Sequence, residues 1–159
     1  VVNESSQVIR RLVDIEENVG KLYRLFGAMH PVDFEFWMQL ATEEDRHAAL
    51  LRYHGECIVQ SSVLNERLFS SSVETIFTFN AKIEEILLSR VNQVPNRKDC
   101  FAIAMQIEES AGEIHFQDAM PVTEEAVAFE VLQTLYADDK DHASRIKAYV
   151  TRRIPYSRL

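Results

Sequence analysis

The sequence predicts an all-α fold, with four core helices arranged as two hairpins joined by a long, partly helical crossover. Three observations predict it. Apolar residues recur at intervals of three and four along most of the 159 residues, the spacing that gathers them on one helix face. Only 4 Gly and 4 Pro occur, too few for an all-β or loop-rich chain. Finally, the stretch Ile15-Glu16-Glu17-Asn18-Val19-Gly20-Lys21-Leu22-Tyr23 returns in altered form as Ile107-Glu108-Glu109-Ser110-Ala111-Gly112-Glu113-Ile114-His115. A second pair follows each copy: Glu43-Glu44-Asp45-Arg46-His47 and Asp138-Asp139-Lys140-Asp141-His142. Each half therefore holds a helix with a lone carboxylate, then a helix with carboxylate-x-x-His.

The first helix is expected over about residues 3–28, with Val8, Leu12, Ile15, Val19, Leu22 and Phe26 on its inner face. His30-Pro31 breaks it, and Pro31 or Asp33 starts the second, to about residue 59, through Phe36, Leu40, Ala48 and Leu51. The crossover occupies about residues 60–94 and contains a third helix. Ser70, Ser71 or Ser72 caps it, and Val73, Ile76, Phe77, Ile83, Ile86 and Leu87 line it. Asn96 or Asp99 caps a helix over about residues 97–119. Pro121-Val122-Thr123 then leads into the last, about residues 123–152, lined by Val127, Val131, Leu135, Ile146 and Val150. Short links make each flanking pair a hairpin.

A single domain of this size, 47% hydrophobic, can bury a full core. Its net charge of −8 argues against nucleic acid or an anionic membrane as partner. No apolar run approaches the roughly 20 residues that would span a bilayer. Cys57 and Cys100 form no Cys-x-x-Cys pair, which excludes zinc-ribbon and rubredoxin-type sites. They are expected as two buried thiols in a reducing cytoplasm rather than as a disulfide.

On a helix, residues three apart project from nearly one side, so Glu44 with His47, and Asp139 with His142, can each reach one metal ion. Glu16 and Glu108 stand at equivalent places on the preceding helices. Folding two equivalent hairpins about an approximate two-fold axis brings four carboxylates and two imidazoles to one depth. Without metal, such carboxylates in a dry core would have to protonate or pay a heavy desolvation cost. Two divalent cations resolve the conflict, and an oxygen-rich site with one imidazole per ion suits iron or manganese. Glu43 and Asp138 are placed to accept the free N–H of the opposite histidine, which fixes its tautomer. Tyr23 and His115 lie two turns beyond Glu16 and Glu108 on the same face, near the metals. Gly20 and Gly112, matched within the repeat, suggest room kept for close helix approach or for a bound species. Taken one at a time, these residues also fit a metal-free helical interaction module with structural acidic pairs.

The order Glu16…Glu44-x-x-His47…Glu108…Asp139-x-x-His142 resembles the ferritin-like dimetal carboxylate proteins. Within that group the chain size and Glu16-x6-Tyr23 are most similar to the rubrerythrin branch, here without a rubredoxin domain. The resemblance implies Glu16 and Glu108 as terminal ligands, Glu44 and Asp139 as bridges, and His47 and His142 as one ligand to each of two iron ions, with manganese as the alternative. It also implies an oxidoreductase that reacts with peroxide or dioxygen, served by an external electron donor, or else a ferroxidase that handles ferrous iron for storage or delivery. A homodimer is the expected assembly. Two positions depart from the family pattern: Asp139 replaces the usual Glu and reaches about 1.5 Å less far, and Ala111 stands where the branch carries an extra Glu.

Overall fold

A computed structural model of the chain describes residues 4–60, 72–90, 95–114 and 126–153. Within them the architecture is all-helical: α1 (Glu4–Met29), a 3-10 turn (Pro31–Asp33), α2 (Phe34–Gln60), α3 (Ser72–Arg90), α4 (Arg97–Ile114) and α5 (Ala126–Arg153), with no strand among the described residues. The expected links at Thr123 and Ser70, the helical stretch beyond Ile114, and His115 lie outside the described residues.

The helix ends follow from local chemistry. Pro31 has no N–H to continue α1, which closes with the His30 amide on the Phe26 carbonyl at 2.9 Å. Pro31 opens a 3-10 turn rather than α2 itself, and α2 begins at Phe34. Of the two candidate caps for α4, Asn96 does the work: its Oδ1 accepts the Asp99 amide at 3.0 Å.

Contacts between helices fix their directions. Along α1 and α2, Gly20 faces Ala41 and Glu44, Gly27 faces Trp37, and Gly55 faces Ile9, so the pair is antiparallel. Between α2 and α5, Phe36 stacks on Tyr149, Glu43 meets His142 and His47 meets Asp138; this pair is antiparallel too. Phe101 with Tyr149 and Glu108 with His142 give the same relation for α4 and α5. Hence α1 and α5 run one way, α2 and α4 the other, and the connection from α2 to α4 returns along the molecule. In it, α3 runs alongside α1, with Arg11 over Phe77 and Asn18 bonded to Asn80 at 3.3 Å.

All six apolar positions read on the face of α1 are buried. Trp37 is fully buried and meets Tyr23, Phe26 and Phe101 at ring distances of 5.5, 5.2 and 4.6 Å. Phe77 and Val127, expected on inner faces, are exposed instead, and Phe77 is covered on one side by the Arg11 guanidinium. Neither cysteine forms a disulfide among the described residues, but only Cys100 is buried; Cys57 is exposed because it lies on the outward face of α2. No helix among the described residues is long and apolar enough to cross a membrane.

One buried ion pair fastens an end of the molecule. Asp33 accepts two hydrogen bonds from Arg97, at 2.6 and 2.7 Å, and one from Tyr149 at 2.9 Å. It thereby ties the start of α2 to the start of α4 and the end of α5. Burial alone would raise the Asp33 carboxyl, but the Arg97 and Tyr149 hydrogen bonds outweigh it and hold the group below its ordinary value. A depressed carboxylate contributes stability above its unfolded pKa, near about 3.9, and loses it as pH falls through the folded value. Replacing Asp33 by Asn should therefore cost about 3 kcal/mol in urea unfolding at pH 7, since it leaves Arg97 half-buried and uncompensated. The gap to wild type should narrow as the pH falls below about 4.

Candidate metal centre

Four helices supply six titratable side chains to one level of the interior. Glu16 comes from α1, Glu44 and His47 from α2, Glu108 from α4, and Asp139 and His142 from α5, each 3% exposed or less. The i, i+3 spacing on α2 puts His47 beside Glu44, and on α5 it sets Asp139 and His142 on one side of the helix. The two imidazole rings lie nearly parallel, 5.5 Å apart.

Glu44 stands between them. Its Oε2 is 3.1 Å from His47 Nδ1, and its Oε1 is 3.0 Å from His142 Nδ1. Glu16 Oε2 approaches His47 Nδ1 at 3.5 Å, and Glu108 Oε2 approaches His142 Nδ1 at 3.5 Å. The donors thus fall into two groups, Glu16–Glu44–His47 and Glu44–Glu108–His142, and within each the ligand atoms lie within 4.8 Å of one another. Glu44 belongs to both. Asp139 is buried at the same level and its charge acts on Glu108 and Tyr23, but it falls in neither group.

The outer nitrogens fix the histidines. His142 Nε2 is 2.9 Å from Glu43 Oε2, and His47 Nε2 is 3.1 Å from Asp138 Oδ2. Each imidazole therefore donates outward from Nε2 to a carboxylate on the opposite helix and presents Nδ1 inward. Tyr23 donates its hydroxyl to Glu108 Oε1. Burial first, and the Glu108 charge second, raise the Tyr23 phenol well above its ordinary value, so it stays protonated. His115 lies outside the described residues. At Gly20 a Cβ would meet the Ala41 carbonyl oxygen and the Glu44 Cβ at 3.4 Å, ordinary contact, and the mobile end of Arg24 at 3.1 Å, whereas a larger side chain would press on Glu44.

The donor set fits two divalent cations. It is all carboxylate oxygen and imidazole nitrogen, with no thiolate, and four carboxylates balance the charge of two such ions. Glu44 Oε1 and His142 Nδ1 face each other at 3.0 Å but make no well-aligned hydrogen bond. A cation bound by both would satisfy both.

Arg145 was not singled out by the sequence pattern, although it stands one turn beyond His142 on the same face. It donates to Glu43 Oε2 at 2.6 Å and to Glu43 Oε1 at 3.3 Å, and to Asp141 at 3.2 Å. His30, by contrast, is far from the cluster and is bonded to the Pro95 carbonyl at 3.0 Å. Compared with models of protein families, with curated proteins and with solved structures, the chain has no significant match in any of the three.

Without metal, the cluster holds protons in place of cations. Burial disfavours a charged His47, but the Glu16 and Glu44 carboxylates outweigh it and raise the ring to about 11. For His142 the same opposition, with Glu108 and Glu44, also gives about 11. Burial raises the Glu44 carboxyl to about 8, the nearby histidines offset part of the push, and the Glu108 and Glu16 charges add to it. Metal ions must therefore displace an Nδ1 proton from each ring, and at pH 7 the Glu44 proton as well. Titrating the metal-free protein with a divalent ion at pH 7 should release about two to three protons for two ions bound, read by calorimetry in buffers of different ionisation enthalpy. Binding without proton release would contradict this arrangement.

Proposed function

We propose that the chain is a ferritin-like dimetal carboxylate protein of the rubrerythrin type, a non-haem di-iron oxidoreductase that reacts with peroxide or dioxygen. The observation that carries the reading is Glu44, which gives one oxygen to each of two buried histidines, each with its own terminal glutamate. The helix directions support it as well. Two antiparallel pairs, with the long return between α2 and α4, match a ferritin-like bundle with one crossover.

When bound, two iron ions supply Lewis acidity and reducing electrons to a small oxidant; manganese shares the ligand preference. The chain's own residues do the rest. Glu16 and Glu108 hold the two ends, Glu44 spans them, and Asp139 adds charge on the Glu108 side. Asp138 and Glu43 keep Nδ1 of each histidine facing inward. Tyr23 retains its proton and steadies Glu108, while the buried Ile15 and Val19 flank Glu16 on α1. An external electron donor, a reducing cytoplasmic setting and a homodimer belong to the same reading.

One observation favours iron handling as a second reading. Asp138 and Glu43, directly behind the histidines, are 48% and 21% exposed in their side chains, which gives ferrous iron a carboxylate-lined approach between α2 and α5. Anaerobic iron loading should give about two ions per chain by elemental analysis, and Glu44→Ala should lose both because it serves both positions. Stopped-flow mixing then separates the readings. Faster oxidation by peroxide than by dioxygen favours the peroxidase, and repeated turnover of excess ferrous iron favours the ferroxidase. Wild-type metal content in Glu44→Ala would end both.

A further inference from the structure

The two halves of the cluster are built alike on the inside and differently on the outside. Behind His47 stands Asp138, whose sole ion-pair partner among the described residues is that histidine. Behind His142 stands Glu43, and the oxygen that accepts from His142 Nε2 at 2.9 Å also accepts from Arg145 Nη1 at 2.6 Å. The repeat makes Leu50 the counterpart of Arg145, three residues after His47, and Leu50 packs against the apolar core instead. The symmetry of the repeat is broken at this position.

We propose that Arg145 makes the His142 half of the site the weaker, exchangeable metal position. The inference rests on the dimetal reading above and adds to it a residue outside the ligand set. Two effects of Arg145 act in the same direction. Its guanidinium charge repels a cation held by Glu44, Glu108 and His142. It also shares the Glu43 oxygen, so His142 donates to a poorer acceptor and becomes a weaker ligand than His47. Asp139 opposes them, because it adds a negative charge beside Glu108, and the Arg145 charge offsets it. The Tyr23 hydroxyl then draws density from Glu108, an inner carboxylate of the same half, and tips the balance toward His47. Arg145 and Glu43 are 27% and 21% exposed in their side chains and Asp138 is 48% exposed, so the outer residues of both halves reach solvent and the Arg145 charge is what separates them.

The test is an anaerobic titration of the full chain with manganese(II) at low ionic strength, followed by calorimetry and by the spin-resonance signal of free manganese. Wild type should show two steps, the weaker absent in His142→Ala and the stronger absent in His47→Ala. Arg145→Gln should tighten the weaker step roughly tenfold and leave the stronger within about twofold, the size expected for removing one charge that acts on a divalent ion through a partly hydrated path. Arg145→Lys, which keeps the charge, should move it far less, and circular dichroism checks that each variant is folded. Two equal steps, a weaker step lost in His47→Ala, or a weaker step that Arg145→Gln leaves unmoved or loosens would each overturn the inference. A wild-type protein that binds no manganese would remove the metal site itself, whereas two steps indifferent to Arg145 would remove this inference alone.

Discussion

Burying charge is the constraint on which the rest of this structure depends. An ionised carboxylate moved from water into a protein interior costs several kcal/mol even after relaxation, unless opposite charge and hydrogen bonds meet it. Here four carboxylates and two imidazoles are placed together in the middle of a helical core. Protons can hold the cluster together, and the raised values of Glu44, His47 and His142 show how strongly it draws them. Two divalent cations would satisfy the same charges without protonating a ligand, and this is the ground of the dimetal proposal.

The surrounding architecture serves that arrangement. Placing one carboxylate on α1, another on α4 and a carboxylate-x-x-His pair on each of α2 and α5 requires the helices to cross at the same depth. Gly20 faces Ala41 and Glu44 where α1 packs on α2. The aromatic group around Trp37 and the Asp33–Arg97–Tyr149 link lie toward one end, where they hold α1, α2, α4 and α5 in register. Hydrogen bonds from the outer histidine nitrogens cross between α2 and α5, so the same contacts that orient the rings also join the two halves. Stability and site geometry are therefore carried by overlapping residues, and Asp33 is the clearest place where the two can be separated.

Much of this was legible in the sequence because periodicity and the internal repeat act at short range. Intervals of three and four residues locate α1 and α2 to within a residue or two, and the i, i+3 spacing alone puts Glu44 beside His47. The repeat then tells which distant segments occupy equivalent places. What could not be read depends on rotation and long-range pairing. Asp33 looks like a helix-starting residue, and only the fold brings Arg97 and Tyr149 to it. Arg145 looks like one more charge on an exposed helix until Glu43 is set opposite. Phe77 and Cys57 fit a periodic or buried pattern locally but fall on outward faces once the helices are packed. Asp139 carries a ligand-type side chain at a ligand-type spacing and is buried at the level of the cluster, outside the two donor groups.

Anomalous diffraction from crystals loaded with manganese tests the central claim most directly. Two peaks should appear inside the helical core, one beside His47 and Glu16 and one beside His142 and Glu108, with Glu44 touching both. A single peak, peaks confined to the surface carboxylates, or an interior without metal at saturating manganese would contradict it.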